Sequence, residues 1–497
     1  MSTSAIGAQS GLAIQQLVAM RSQFDDFQRQ LSTGQKSATY AGLGLDRGIT
    51  VSLNAQLSAL SGYDATIATV STRIDLMNTA LTRMSGIGST VRQAMVAANS
   101  TSDASGAITA QTTGQNSLDE LLSLLNTDAG GRYLFSGRAT DTPAVETYDH
   151  ILNGDGTRAG LKQLISERTQ ADAGANGLGR LAVSQPTATS VAVTEDAGAF
   201  GFKLASANST LTGATVTGPS GSPASLSVDF TGTPNEGEAL TLRLSLPDGS
   251  SENLTLTATT KSPAGPNQFT IGATPSATAA NLQSALSTGL GTLAATSLTA
   301  ASAVAASDDF FSADASNPPQ RVAGPPFDTA TAMTAGSAAD TVIWYTGEAG
   351  GDSARSTAVA RVDQSLAVSY GARANEDGLR NLVQNIATLA AVTVSSSDPN
   401  AGGLSLALNQ RLSTDLNGAG QQSLTNIAAQ LASAQTTVDS AKTRHQQTSA
   451  TLSDYLQQIG GVSNEEVGSK ILALQTRMQA SMQTTAMLFK TSLVNYL

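Results

Sequence analysis

Residues 467–497 read VGSKILALQTRMQASMQTTAMLFKTSLVNYL. Val467, Ile471, Leu474, Met478, Met482, Leu488, Phe489 and Leu493 return at helical spacing, and no Gly or Pro after Gly468 interrupts them. Apolar residues continue through Ser492-Leu493-Val494-Asn495-Tyr496-Leu497. Near the other end, Ile14, Leu17, Phe24 and Leu31 fall on one stripe, with Arg21 and Gln28 completing a 3-4 spacing. Chain ends ordinarily fray and stay polar. Two amphipathic ends therefore predict that the termini pair with each other and then with other copies of the chain. The candidate assembly interface is Ile14, Leu17, Phe24, Leu31, Ile471, Leu474, Met478, Met482, Leu488, Phe489, Leu493, Tyr496 and Leu497.

Inward from the ends the pattern tightens. The first helix is expected over 4–34, followed by a glycine-punctuated, non-helical connector over 35–45. Leu53, Leu60, Ile67, Ile74, Leu81 and Met95 then recur by sevens, with only Gly88 missing from the row. A second row holds Tyr63, Val70, Met77, Met84 and Val91. Two apolar rows offset by three predict a coiled-coil seam. A third helix is expected over 108–126, and the seam returns as Leu424, Ile427, Leu431, Ala434, Val438, Ala441, His445, Thr448, Leu452, Tyr455 and Ile459. Gly460-Gly461 break it, and Ser463-Asn464-Glu465-Glu466 restart a helix with capping residues and carboxylates in its first turn.

Between the seams the period changes. Short strands are expected at 132–137, 341–345 and 359–370, and helices at 375–393 and 404–416. From 185 to 339 the composition shifts to Thr, Ser, Gly and Pro. Leu240–Leu244 and Leu254–Thr257 alternate around Pro247-Asp248-Gly249-Ser250, a hairpin signature, and residues 276–288 read as one helix. The expected fold class is mainly α with an inserted β domain: an elongated rod of long antiparallel coiled-coil helices formed by both chain ends. Residues 1–44 plus 461–497 would be the terminal assembly domain, 45–184 plus 340–460 the coiled-coil domain with small β elements, and 185–339 the outer β domain.

Composition narrows the function. The net charge is −11, yet only 13% of residues are charged, so there is no basic stripe for nucleic acid. There is no cysteine, hence neither disulfides nor thiolate metal sites. Apolar runs fall short of the ~18 residues that a membrane span needs, so no membrane insertion is expected. Met1–Ile6 lacks the basic start and apolar middle of a cleaved signal, so export would use a route without one.

Specific words resemble the bacterial flagellin family. Gln30-Leu31-Ser32-Thr33-Gly34 resembles a flagellin helix end, and Val91–Asn99 is similar to a flagellin core-helix segment. Gly131-Arg132-Tyr133-Leu134-Phe135-Ser136-Gly137, Gly371–Glu376 and Ser492–Leu497 resemble the flagellin-related hook–filament junction proteins (hook-associated protein 3). The likeness covers roughly 1–170 and 340–497 and leaves the insert unassigned. Filament flagellins usually carry an Asp-Asp-Ala-Ala-Gly run where this chain has Thr39-Tyr40-Ala41-Gly42-Leu43-Gly44, and they usually end in Leu-Leu-Arg. Both departures point to the junction group; the long insert points to a filament flagellin. The resemblance implies a structural subunit joining hook to filament by self-association of its terminal helices, or alternatively the main filament subunit used in swimming. It further implies a homo-oligomeric helical assembly outside the cell, contact with other hook-associated proteins and flagellin, and an export chaperone at the C-terminal helix. No cofactor and no enzymatic activity are implied.

The residues themselves offer little for catalysis. Only His150 and His445 are available as imidazoles. His445 occupies a seam position, where a tolerated polar residue is the default and a pH-sensitive packing site the sharper alternative; His150 reads as solvated in a turn. Gly42–Gly48 lacks the strand and spacing of a dinucleotide loop, and Asn153–Thr157 lacks the downstream Glu of a calcium loop. Met77 and Met84 are assigned to core, whereas Met478, Met482 and Met487 suit a partner surface. A signalling coiled coil fails because a β-rich stretch separates the seams. An adhesin riding on the insert needs no motif and stays open.

Overall fold

Long apolar rows become long helices. The computed structural model describes residues 3–101, 104–416 and 423–494. In chain order the helices begin with α1 (Thr3–Thr33), α2 (Arg47–Thr101), α3 (Ala104–Leu125), α4 (Tyr148–Asn153) and α5 (Leu161–Ala173). Strands follow: β1 (Leu181–Thr187), β2 (Ser190–Glu195), β3 (Lys203–Ser209), β4 (Ala214–Gly221), β5 (Ala224–Phe230), β6 (Ala239–Ser245), β7 (Ser251–Thr259) and β8 (Gln268–Thr270). Then come α6 (Pro275–Leu293), α7 (Thr299–Ser312), and the short strands β9 (Arg321–Val322), β10 (Met333–Thr334), β11 (Val359–Arg361) and β12 (Ala367–Ser369). The chain finishes with α8 (Asp377–Ala391), α9 (Ala401–Leu416), α10 (Leu424–Gly460) and α11 (Asn464–Val494). It is mostly helical with a separate β-sheet domain. Two compact units result: Met1–Ser71 with Arg361–Val368 and Thr436–Leu497, and Thr72–Ala360 with Ser369–Gln435.

The second unit holds the two four-stranded sheets. One sheet has the order β1-β2-β5-β4 and the other β3-β6-β7-β8. The expected hairpin is β6–β7, antiparallel with Leu242 opposite Leu254 and Ser245 opposite Ser251. Asp248 holds its turn by accepting from the Ser250 amide at 3.0 Å. Alternate residues Leu240, Leu242, Leu244, Leu254 and Leu256 face one core shared by both sheets and by Leu282, Leu286 and Leu290 of α6. Pro275 starts α6 beside Thr274, whose hydroxyl accepts from the Ala277 amide at 3.2 Å.

A π-helical turn over Ala294–Leu298 leads from α6 into α7, which leaves the sheets and packs on α5, α8 and α9. Charges and aromatics fasten this return. The fully buried Asp172 carboxylate accepts from Arg168 Nε, the Gly201 amide and Ser302 Oγ, each at 2.8 Å. A buried carboxylate is tolerable only when so many donors surround it. Phe200 lies 5.3 Å from the Arg168 guanidinium and 5.8 Å from that of Arg180. On the far side Arg411 of α9 reaches Asp248 in the β6–β7 turn at 2.7 Å. In the helical layer α3 packs on α8, and Gly114 lets Leu389 approach to where an added Cβ would sit 3.1 Å from its Cδ2.

Several expectations are corrected. Residues 132–137 and 341–345 are not strands: they make isolated bridges, Asp128 to Tyr133, Ser136 to Arg373, Ala159 to Thr341 and Val145 to Tyr345. Strands do return within 359–370, as the β11–β12 hairpin, which turns where Val362 donates to the Leu366 carbonyl at 2.9 Å. The connector is partly helical, with a 3-10 segment at Tyr40–Asp46. His150 lies in α4, its Nδ1 3.0 Å from Glu146 Oε2, because Thr147 caps that helix. The α10 row holds through Ile427, Leu431, Ala434, Val438, Ala441 and His445, then shifts by one residue. Ser449, Leu452 and Leu456 face inward, leaving Thr448 and Tyr455 exposed. Two successive four-residue steps break the strict heptad there.

The chain's one tryptophan reports on the second unit. Trp344 is fully buried, its Nε1 donates to the Phe311 carbonyl at 2.9 Å, and the Phe311 ring meets it edge-on at 5.2 Å. Phe311→Ala should cost about 3–5 kcal/mol. Denaturant unfolding followed by Trp344 emission checks this; an unchanged midpoint contradicts the packing.

Candidate assembly surface

Within the first unit, α1 packs against α11. The two helices are registered by a short main-chain crossing. Gln35 and Gly461 form an antiparallel bridge, Lys36 N donates to the Gly460 carbonyl at 2.7 Å, and Val462 N donates to the Gly34 carbonyl at 3.0 Å. Lys36 Nζ caps the end of α10 by donating to the Ile459 carbonyl at 2.7 Å, where the helix dipole favours a cation. Both glycine sites are required by geometry. Gly34 takes φ +68°, and a Cβ on Gly461 would lie 2.3 Å from the Gln457 carbonyl oxygen.

The α11 start fulfils its sequence signal. Ser463 Oγ accepts from the Glu466 amide at 3.3 Å. The Lys470 ammonium, bonded at 2.6 Å, holds the Glu466 carboxyl below its ordinary range. The Ser463 hydroxyl does the same for Glu465.

The predicted interface residues separate into two sets. Leu17 and Phe24 are half-buried on α1 together with Met20 and Phe27, which the sequence stripe omitted. On α11, Leu474 is only 5% exposed, Val467 is buried, and Ile471 and Met478 are half-buried. These form the inward faces. Ile14 (53% exposed), Leu31 and Met482 (52%) instead point away from the helix pair. Leu488, Phe489 and Leu493 have their backbone in α11, but their side chains lie outside the described residues, as do Tyr496 and Leu497 altogether. Further exposed apolar side chains flank the pair: Leu12, Val18, Leu472 and Met487, with Leu45, Ile49 and Val51 beyond the crossing. The signal for them was present in the sequence, displaced by a residue or two from the main stripe, where a single-stripe reading discards it.

A recess of ≈ 640 Å³ at the crossing is lined by Thr33, Tyr40, Leu43, Asn54, Leu456 and Gln457 among others, and no charged side chain lines it. Among the described residues no cluster of His, Asp or Glu could hold a metal ion. What the arrangement offers is a pre-registered pair of helices carrying apolar residues on its outer flanks, a pattern suited to burial against further helices.

Residues 9–140 match the family model of the bacterial flagellin N-terminal helical region, which spans α1, α2 and α3. The match supports the bacterial flagellin family, a structural family and not an enzyme family. No curated protein matches the chain.

Leu474→Ala removes inward packing and should cost roughly 2 kcal/mol locally, about thirtyfold in the open population of the helix pair. Limited proteolysis should then trim the termini faster, whereas Met482→Ala leaves the trimming rate unchanged. Equal rates in both variants contradict the assignment of faces.

Proposed function

We propose that this chain is an extracellular structural subunit of the bacterial flagellum that joins hook to filament through self-association of its terminal helices. Two observations support the reading together. The flagellin match covers the N-terminal helices. The helix pair formed by the two chain ends leaves Ile14, Val18, Leu472, Met482 and Met487 exposed along its flanks. Apolar residues repeated on a rigid, registered pair gain most by burial against identical pairs in a helical array.

In this proposal residues 1–44 plus 461–497 form the assembly domain, 45–184 plus 340–460 the coiled-coil domain, and 185–339 the outer domain. The partners are further copies, other hook-associated proteins, flagellin, and a chaperone that covers the C-terminal helix before export. The Gly131–Gly137 and Gly371–Glu376 words favour the junction subunit. The filament subunit is the second reading, favoured by the large two-sheet insert, since a junction needs less outer domain.

Electron microscopy of cells lacking the gene separates the two. Hooks without filaments, with flagellin shed into the medium, are the expected result; capped hooks with no flagellin shed indicate the filament subunit. An intact, motile flagellum sinks both. Independently, Ile14→Asp and Met482→Asp should leave the purified chain folded, by circular dichroism, yet abolish its incorporation into flagella. Normal incorporation of both variants overturns the assembly role of these flanks.

A further inference from the structure

The methionines occupy sharply different settings. Met77, Met84 and Met95 of α2 are no more than 1% exposed, and Met20, Met333 and Met478 are half-buried. Met482 and Met487 of α11 are 52% and 66% exposed. Both stand on the flanks of the α1–α11 pair. We propose that Met482 and Met487 form a reversible oxidation site: hydrogen peroxide converts their thioethers to sulfoxides in the unassembled chain and so blocks assembly, and assembly in turn shields them from the oxidant. The inference rests on the assembly role proposed above for these flanks.

The chemistry needs only an accessible sulfur. A thioether has no proton to lose, so exposure rather than ionisation decides which methionine reacts. The sulfur lone pair attacks one peroxide oxygen, and an S–O bond forms as the O–O bond breaks. Sulfur gives up two electrons, and the second oxygen leaves with both peroxide protons as water. The product is a polar, chiral but uncharged side chain that disrupts methionine-containing interfaces, and sulfoxide reductases can reverse it. The chain holds no cysteine, so no thiolate is present to consume the oxidant first.

The placement directs the modification at assembly and spares folding. Val467 and Leu474 carry the buried face of α11, whereas Met482 and Met487 project outside it. At 3.6 residues per turn the two positions lie about 140° apart around the helix, so their oxidation makes two different flanks polar at once. In the unassembled chain each sulfoxide oxygen faces water and costs little. Against the apolar flank of a neighbouring copy the same oxygen is buried without a donor, which opposes association. The core methionines of α2, where a sulfoxide would break the packing, are the ones that burial protects.

The test treats the purified full-length chain with dilute hydrogen peroxide and reads the oxygen added at each methionine by peptide mass spectrometry. Met482 and Met487 should oxidise about tenfold faster, or more, than Met77, Met84 and Met95. Circular dichroism and Trp344 emission should be unchanged at that stage. Oxidised and untreated chains are then added to cells lacking the gene, and the amount retained on washed flagellar structures is measured. Retention should fall several-fold on oxidation and recover after treatment with sulfoxide reductases for both epimers. Oxidation of Met482 and Met487 in the retained, untreated chain should be several-fold slower than in solution. Equal retention of the two chains, a loss that the reductases do not reverse, or equal oxidation rates before and after retention overturns the site. If even the untreated chain is not retained, the assembly reading itself fails and the site with it.

Discussion

The register of the terminal helix pair depends on a few main-chain hydrogen bonds between segments more than four hundred residues apart in sequence. Lys36 to Gly460 and Val462 to Gly34 fix where the chain leaves α1 and enters α11. Without that crossing the terminal helices would be two isolated segments, and isolated helices are marginal in water. With it, one inward face is buried and registered, and the entropy of bringing the ends together is met once. The remaining flanks have no covering layer among the described residues of the chain, which makes association the natural way to complete the layer.

The same logic of attachment explains why the β-rich insert belongs to a compact unit with helices. It is not hung on a flexible linker. Asp172, Arg168 and Arg180 close around Phe200 where the sheets begin, and Arg411 grips the β6–β7 turn from α9. Helix α7 then carries the chain back under Trp344. The ties at Asp172 and Arg411 use charged groups, so removal of the oppositely charged partner leaves a costly uncompensated buried charge. Such attachments would let the outer sheets vary on their exposed faces while the join stays fixed.

The long helices were legible because their apolar spacing is sustained over many turns, and the β6–β7 hairpin because its turn chemistry is explicit. The misses have physical causes. Arg132–Gly137 and Thr341–Tyr345 have strand composition but sit in a packed crossover where only single bridges fit. Helices α4 and α5 are short, and α7 is rich in Ala and Ser with little polar contrast, so periodicity could not identify them. At the assembly surface the sequence identified the right helices but mixed two faces: Leu17 and Phe24 turn inward while Ile14 turns outward. Helical spacing alone does not say which side of a stripe a partner already covers. The departure from heptad spacing at His445 escaped notice because Thr448 and Tyr455 continue the expected register while Ser449 and Leu456 are the residues that pack.

The central claim is that the outer flanks of the α1–α11 pair are buried by other copies. The chain has no native cysteine, so a single cysteine at Val18 or at Leu472 can be followed without interference. Both positions are exposed in the free chain. Thiol labelling should be rapid for the free protein and strongly suppressed once the same protein is assembled, while a control cysteine at exposed Ser397 labels equally in both states. Equal labelling of Val18Cys and Leu472Cys before and after assembly would contradict the claim.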